Sequence, residues 1–263
     1  MARFCPLFSS SSGNCTYIGS ASSGILIDVG VSAKKTKDSL ANIGVDLSSI
    51  KAVFVTHEHS DHINGLRVFA SSQNLDVYAS AGTLSALADK GILNGKFNCV
   101  EMPFEGTEVG DMHVKPFKTS HDAKESLGYT IITSDERQVS LVSDTGVLTE
   151  EIMNSIYGSD LVMIESNHDI GMLQNGPYQY WLKRRILSDT GHLSNEDCAT
   201  AVKSLVNSGT TRIFLGHLSK DNNSPLLAYE TTHAELCELG AVENKDYVLN
   251  VAGTEDSCKL TVF

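Results

Sequence analysis

Short apolar runs recur along this chain, and each one ends at a polar or glycine-containing segment. A run of roughly four to eight apolar residues between turn residues predicts a buried β-strand. We expect strands at 4–8, 15–19, 25–30, 52–55, 76–79, 128–132, 139–142, 161–164, 212–215, 248–251 and 259–262. A hairpin is expected over 108–117, because Gly110-Asp111 lies between two further strand-like segments.

Segments with a helical spacing of apolar residues separate many of these strands. They span 32–43, 63–72, 82–90, 149–157, 195–207 and 225–239. Pro177 suits the first turn of a helix, so we expect one more helix from about residue 177 to residue 186. Ser194 or Asn195 is expected to cap the helix that follows. This order of strands and helices predicts an α/β fold.

The composition indicates a globular chain with an acidic surface. The 263 residues are 41% hydrophobic, which is enough for a sizeable core. No linker-like or low-complexity tract divides the chain, so we expect a single domain over residues 1–263. The formal net charge of −12 repels nucleic acids and anionic membranes, so a polyanionic partner must be bound through a local feature.

The six cysteines show no CxxC motif and no regular spacing, so we interpret them as core residues. They are Cys5, Cys15, Cys99, Cys198, Cys237 and Cys258. The first residues lack the long apolar segment of a signal peptide, and no run reaches membrane-spanning length. We therefore expect a cytoplasmic protein that has no membrane partner.

The strongest chemical signal is the stretch His57-Glu58-His59-Ser60-Asp61-His62 after the predicted strand at 52–55. Neutral imidazoles together with a carboxylate suit divalent transition metals. His57 and His59 are two residues apart, so extended backbone points them the same way. The alternative is a polar loop in which Asp61 caps a helix. Capping needs one short polar residue and leaves the three histidines unexplained.

Three other predicted strands also end at metal-binding residue types, namely His121, Asp144 and His217. Several strand ends can converge on one edge of a β structure, and such an edge could hold two metal ions. We assign His57, His59 and His121 to the first metal, Asp61, His62 and His217 to the second, and Asp144 as the bridge. Asp28 ends a further strand, where it serves either as a brace for a histidine or as a turn former.

The order and spacing of these seven residues resemble the metallo-β-lactamase superfamily. The resemblance covers essentially the whole chain. It implies a four-layer αββα sandwich with two metals at one edge of its sheets. A glutamate at position 59 would resemble the redox di-iron members, and this chain has His59 there.

Further segments resemble the YycJ branch of that superfamily, which is also called WalJ. They are the residues at 9–14, 165–169, 172–173, 175–178 and 191–195. Members of that branch are regarded as DNA exonucleases that act from the 5′ end, with a suggested place in mismatch repair. The resemblance therefore implies DNA as the substrate. Within these segments, Asn167 and His168 are the predicted substrate-binding residues.

The expected reaction is hydrolysis of a phosphodiester by a hydroxide that two metal ions activate. Asp61 would orient this hydroxide or accept its proton. His192 would contact the phosphate or protonate the leaving oxygen, and its alternative role is that of a loop histidine before a helix. Imidazole and carboxylate ligands accept both Zn²⁺ and Mn²⁺, so the sequence leaves the metal open.

Two segments keep a structural alternative beside a functional one. Tyr178, Tyr180 and Trp181 precede three cations at 183–185, and this pattern suits either DNA binding or an amphipathic helix with buried aromatics. Residues 9–14 are interpreted as a hairpin turn in preference to a substrate-contacting loop.

Two other functional classes remain open at this stage. One is a small-molecule hydrolase on the same fold, either a cyclic phosphodiesterase or a thioesterase. The other is a non-catalytic protein that metals stabilise. The acidic charge favours a small substrate over DNA, whereas the residues around His192 favour DNA.

Overall fold

The structure is a computed structural model, and it describes residues 1–253 and 259–263. The strands are β1 (Arg3–Phe8), β2 (Cys15–Gly19), β3 (Gly24–Ile27), β4 (Ile50–Phe54), β5 (Asp76–Ala79), β6 (Cys99–Glu101), β7 (Thr107–Val109), β8 (Met112–Lys118), β9 (Leu127–Thr133), β10 (Gln138–Val142), β11 (Leu161–Glu165), β12 (Arg212–Gly216), β13 (Val248–Val251) and β14 (Thr261–Val262). The helices are α1 (Ala33–Asn42), α2 (Ser60–Ile63), α3 (Leu66–Gln73), α4 (Ala81–Asp89), α5 (Glu150–Ile156), α6 (Ile170–Asn175), α7 (Tyr180–Ile186), α8 (Asn195–Asn207) and α9 (Pro225–Glu238).

The chain forms two compact units. The first contains Met1–Pro116, Ala123–Arg137 and the C-terminal segment from Gly253, and the second contains Phe117–Asp122 and Gln138–Ala252. Among the described residues, no helix has the length and apolar character that crossing a membrane requires.

The first unit contains a seven-stranded mixed sheet. Its strand order is β14-β1-β2-β3-β4-β5-β6. The pairs β1–β2 and β2–β3 are antiparallel, whereas β3–β4, β4–β5 and β5–β6 are parallel. Strands β2 and β3 are buried along their whole length, as expected for central strands of a covered sheet. Residues at 28–30 and 55–62 follow the parallel strands β3 and β4, so they emerge at the same sheet edge.

Four parallel strands organise the second unit. β10, β11, β12 and β13 pair with one another in chain order. Such pairs need crossover connections, and α5, α8 and α9 lie in these crossovers. Apolar residues of the strands and of these helices form one buried cluster. The carboxyl ends of β10, β11 and β12 therefore lie side by side.

Most predicted elements are confirmed, and the differences are local. The helix expected from about residue 177 begins at Tyr180 with Gln179 as its N-cap, so Pro177 precedes it. Asp169 caps an unexpected short helix, α6, by accepting a hydrogen bond from the Met172 backbone N–H. Ser194 caps α8 as expected.

The interpretation of the cysteines needs a correction at one position. Cys5, Cys15 and Cys198 are buried, and Cys99 is half-buried. Cys237 is exposed on α9, because its position lies on the solvent side of that helix. Cys258 lies outside the described residues.

Candidate metal centre

The histidine-rich stretch of the first unit brings its imidazoles together. The ring centroid of His57 lies 4.6 Å from that of His59 and 4.1 Å from that of His62. His57 and His62 are buried, and His59 is half-buried. Three clustered imidazoles and a nearby carboxylate make a donor set that divalent transition metals accept.

Asp28 and Thr56 orient two of these imidazoles. Asp28 accepts hydrogen bonds from the Thr56 backbone N–H, from the Thr56 hydroxyl and from His62 Nδ1, at 2.8, 2.8 and 2.7 Å. His57 Nδ1 lies 3.0 Å from the same hydroxyl oxygen. A proton on Nδ1 leaves the Nε2 lone pair to accept, which is the tautomer that a metal-binding histidine needs. Of the two roles open for Asp28, the structure shows the brace.

Asp61 lies in the first turn of α2 and does not cap it. The N-cap residue is His59, which makes no side-chain capping bond. The capping alternative for Asp61 is therefore wrong. Its Oδ2 lies 3.4 Å from His62 Nε2, so the carboxylate faces the imidazole cluster.

The 9–14 segment joins the antiparallel strands β1 and β2, so the hairpin interpretation is confirmed. Its last residue also contacts the histidine-rich stretch. Asn14 Nδ2 lies 3.3 Å from Asp61 Oδ2 and 3.1 Å from His62 Nε2. The Asn14 backbone N–H donates to the Asp61 carbonyl at 2.8 Å. The turn therefore holds two predicted ligands.

A second cluster lies at the carboxyl ends of the parallel strands in the second unit. Asp144, Glu165, His192 and His217 each offer one ligand atom, and these atoms lie within 4.8 Å of one another. Asp144 follows β10, Glu165 ends β11 and His217 follows β12, so neighbouring strands deliver three of them. His192 comes from the loop before α8.

The Glu165 carboxylate holds both imidazoles of this cluster. Its Oε1 accepts from Nδ1 of His192 and from Nδ1 of His217, each at 2.8 Å. Its Oε2 accepts from the backbone N–H of Thr145 at 2.9 Å. Burial favours the neutral acid, but the charge and hydrogen bond of His192 outweigh it and lower the pKa of Glu165. The carboxylate is therefore ionised.

His192 presents its other nitrogen away from Glu165. Burial disfavours charge on this imidazole, yet the Glu165 carboxylate stabilises that charge and leaves the His192 pKa above its ordinary value. The side chain keeps 16% of its surface exposed. An imidazole whose pKa is raised by a carboxylate is suited to act as a general acid.

His121 follows β8 and faces Asp144. Its Nδ1 lies 3.0 Å from the Gly191 carbonyl oxygen, and its Nε2 lies 3.8 Å from Asp144 Oδ1. Burial lowers the pKa of His121, so the imidazole is neutral at physiological pH. A neutral imidazole is the form that binds a metal.

The two predicted substrate-binding residues are buried in the second unit. Asn167 Nδ2 donates to the His217 carbonyl oxygen at 2.9 Å, so this amide positions the chain at His217. The His168 carbonyl oxygen accepts from the Asn195 backbone N–H at 2.9 Å. Burial lowers the pKa of His168 to about 4. Their role in substrate binding stays a prediction.

Two residues of the second cluster, and the aspartate that orients the first, have left-handed backbone conformations. The φ angles are +61° at Asp28, +54° at Asp144 and +53° at His217. Non-glycine residues rarely adopt positive φ, and aspartate, asparagine and histidine do so more readily than others. Such strain is common at functional sites, where the surrounding structure imposes it.

Two residues of the site, Glu165 and Asn14, were assigned no role from the sequence. Glu165 directly follows an apolar run, the same signal that identified Asp144 and His217. Asn14 carried no comparable signal, because its contacts with Asp61 and His62 depend on how the β1–β2 turn packs.

The family model described as a beta-lactamase superfamily domain matches residues 24–218, which is more than half of the chain. The chain therefore belongs to the metallo-β-lactamase superfamily, as its residues suggested. YhfI of Bacillus subtilis, a metallo-β-lactamase fold protein, superposes with a TM-score of 0.72 and 14% identity, covering 99% of each chain. This likeness confirms the expected αββα fold class.

Within the superfamily, the chain is similar to proteins of the YycJ and WalJ branch. It is 35% identical over 262 residues to exodeoxyribonuclease WalJ of Streptococcus pneumoniae serotype 2 (strain D39 / NCTC 7466), which covers 98% of this chain and 97% of that protein. It is 37% identical over 241 residues to exodeoxyribonuclease YycJ of Bacillus anthracis, which covers 90% of each. The expected branch is thereby confirmed.

Proposed function

We propose that this protein is a metal-dependent exodeoxyribonuclease that hydrolyses DNA phosphodiesters from the 5′ end. The observation that carries the proposal is the 35% identity to an exodeoxyribonuclease over nearly the full length of both chains. The buried imidazole and carboxylate clusters supply the chemistry that a metal-dependent hydrolase needs. The 5′ polarity rests on the branch resemblance.

The ligands of this proposal are those expected from the sequence. They are His57, His59, Asp61 and His62 in the first unit and His121, Asp144 and His217 in the second. The donor set fits divalent ions, because His62 and His217 each have Nδ1 bonded to a carboxylate, which directs Nε2 to a ligand role. Bound divalent ions supply positive charge that neutralises a phosphate and stabilises the charge developing in its hydrolysis.

His192 is the proton donor in this proposal. Glu165 fixes its Nδ1 and so sets the direction of Nε2. A proton passes from Nε2 to the oxygen that leaves phosphorus, and the imidazolium is stabilised by the same carboxylate until then. Asp61, at the edge of the other cluster, orients the attacking water. His192→Ala should retain bound metal and lose most turnover, whereas unchanged turnover would remove His192 from the reaction.

A small-molecule hydrolase on the same fold is the second candidate. The net charge of −12 favours a small substrate. The similarity to two exodeoxyribonucleases over 90% or more of the chain favours DNA, and we give that observation more weight.

A cleavage assay tests the proposal. Purified protein is incubated with duplex DNA that carries a 5′ phosphate and an end label, in Mn²⁺, Zn²⁺ or chelator. We expect mononucleotides from the 5′ end, abolished by chelator and by His59→Ala. His113→Ala is the matched control, because His113 lies on β8 and pairs with Glu108 on β7. If metal-loaded protein does not cleave DNA, the nuclease proposal is refuted. Small phosphodiesters and thioesters would then be tested as substrates.

Three finer features belong to the same proposal. The working metal is Zn²⁺ or Mn²⁺, and the assay identifies it. A cytoplasmic location and a role in DNA mismatch repair are also proposed. The first is supported by the sequence and the second by the branch resemblance alone. Deletion of the gene should raise the spontaneous mutation frequency, and an unchanged frequency would refute the repair role.

A further inference from the structure

Helix α7 exposes two large aromatic side chains. Tyr180 is 73% exposed and Trp181 is 66% exposed, whereas Ile186 is the buried residue of this helix. The amphipathic alternative, with the aromatics in the core, is therefore wrong. A patch of exposed apolar side chains on a protein surface often marks an interaction site.

Polar contacts fix the helix that carries these aromatics. Lys183 Nζ donates to the carbonyl oxygens of Gln174 and Gly176 at 2.8 and 2.7 Å, where α6 ends. Arg185 binds the Asp122 carboxylate through two nitrogens, with Nη2 at 2.9 Å. Two of the three cationic side chains at 183–185 therefore bond to groups of the protein itself. Arg184 is exposed and remains available to a partner.

The helix is joined directly to residues of the candidate site. Asp122, which Arg185 holds, has its Oδ1 3.4 Å from His121 Nε2. The His192 backbone N–H donates to the Ile186 carbonyl oxygen at 3.0 Å. From Ile186 to Tyr180 the helix rises about 9 Å, a distance that two or three stacked nucleotides span at about 3.4 Å each.

We propose that Tyr180, Trp181 and Arg184 form a binding surface for single-stranded DNA, on which the aromatic rings stack bases and Arg184 binds a phosphate. This inference rests on the proposed nuclease function and names the part of the substrate that α7 holds. Stacking is independent of sequence and needs few phosphate contacts, so it suits a chain whose net charge repels DNA. Because these contacts hold the helix, the backbone positions that carry the two rings are fixed before DNA binds.

The single tryptophan of the chain is Trp181, so its fluorescence reports on this surface alone. Full-length protein in chelator, which prevents cleavage, is titrated with a short oligothymidylate and with blunt duplex. We expect saturable quenching by the single strand and weaker quenching by the duplex. No quenching would overturn the proposal.

Substitutions measure how much each residue of this surface contributes to DNA affinity, which is followed by the anisotropy of a labelled oligonucleotide. Trp181→Ala and Tyr180→Ala should each weaken binding on the order of tenfold, and Trp181→Phe should retain most of it. Arg184→Ala should reduce the salt slope of log K by about 0.7, the value for one phosphate of a single strand. Phe104→Ala is the matched control, because Phe104 is 61% exposed and lies outside α7. Equal affinities for all variants would overturn the proposal.

The competing occupant of this surface is a second copy of the chain. Sedimentation of the protein and of Trp181→Ala separates the two cases. We expect the same monomeric mass for both, and a dimer that Trp181→Ala dissociates would overturn the proposal.

The binding titration tests the DNA-binding surface and the cleavage assay tests the nuclease function, so either proposal can fail without the other. Quenching without cleavage refutes the nuclease and keeps the surface, whereas cleavage without quenching refutes the surface.

Discussion

Glu165 Oε1 accepts a hydrogen bond from His192 Nδ1 at 2.8 Å, and the same oxygen holds His217. One buried carboxylate therefore sets the orientation of a predicted proton donor and of a predicted metal ligand. Because Glu165 Oε2 also accepts from the Thr145 backbone N–H, both oxygens face donors.

Glu165→Gln tests this shared role. A glutamine amide has one acceptor and one donor end, so its NH₂ must face either the imidazole N–H groups or the Thr145 N–H. We expect bound metal or turnover to fall by about 10- to 100-fold, the usual effect of removing a partner behind a metal ligand. Metal content after dialysis and the cleavage rate measure this.

Glu235→Gln is the control for that change, because Glu235 pairs with Lys203 on the surface. Normal metal content together with normal turnover in Glu165→Gln would show that the carboxylate does not orient the two imidazoles.

Asp28→Asn removes the negative charge at position 28 while keeping a residue that tolerates its left-handed backbone conformation. Asparagine tolerates the positive φ at this position, so the fold should persist. The amide is a weaker acceptor for His62 Nδ1, and we expect metal affinity to fall by about 10- to 100-fold. Calorimetric titration with Zn²⁺ measures the affinity. Asp38→Asn on the exposed face of α1 should leave it unchanged, and equal affinity in both variants would contradict the brace.

Gly30→Ala should disturb the histidine-rich stretch through the backbone. A Cβ at Gly30 would lie 1.6 Å from the Asp61 carbonyl oxygen and 2.6 Å from the Asn14 backbone nitrogen. Backbone atoms must move to make room, so we expect the free energy of unfolding to fall by about 2–3 kcal/mol or more. Urea unfolding measures the loss.

Gly44→Ala provides the comparison for Gly30→Ala. Gly44 has a φ of +72°. Apart from Gly44 and its two chain neighbours, no described residue has a heavy atom within 4 Å of the position that a Cβ would take, so only backbone strain changes there. Its cost should be about 1–2 kcal/mol. If Gly30→Ala is as stable as Gly44→Ala, the backbone at Asp61 can move to accommodate the Cβ at little cost in free energy.

His168 should make stability depend on pH. Burial lowers its pKa to about 4, against about 6.5 in the unfolded chain. Between these values the unfolded state binds more protons, so stability falls as pH drops from about 6.5 towards 4. We expect a contribution of about 1–2 kcal/mol between pH 7 and pH 5. Urea unfolding at both pH values, with His168→Leu compared to the parent, measures it.

His168→Leu should reduce the loss of stability on acidification, because leucine does not titrate. Equal pH dependence in the parent and in His168→Leu would show that His168 ionises normally in the folded protein.

The sequence predicted the strands and their ends well, for a physical reason. Buried parallel strands need continuous apolar runs, and residues after such runs must emerge at a sheet edge. Asp144 and His217 were found in this way. Glu165 followed the same kind of run, but its partners are the Nδ1 atoms of two histidines distant in sequence, and no local pattern encodes that.

The aromatic segment shows the other limit of sequence reasoning. The pattern at Tyr180 and Trp181 suits a core helix and a surface helix equally. The difference lies in what packs on α7. This depends on Lys183 reaching the carbonyl oxygens at the end of α6 and on Arg185 reaching Asp122, which is distant in sequence. The short helix α6 escaped detection because its signal is a single capping residue, Asp169.

The left-handed backbone at Asp28 and Asp144 has a consequence for how these positions can vary. Each must satisfy two independent demands, a carboxylate and a positive φ. Glutamate meets the first and asparagine meets the second. A saturation library selected for activity should therefore recover aspartate almost alone at both positions, whereas a library selected only for folding should also recover asparagine and glycine.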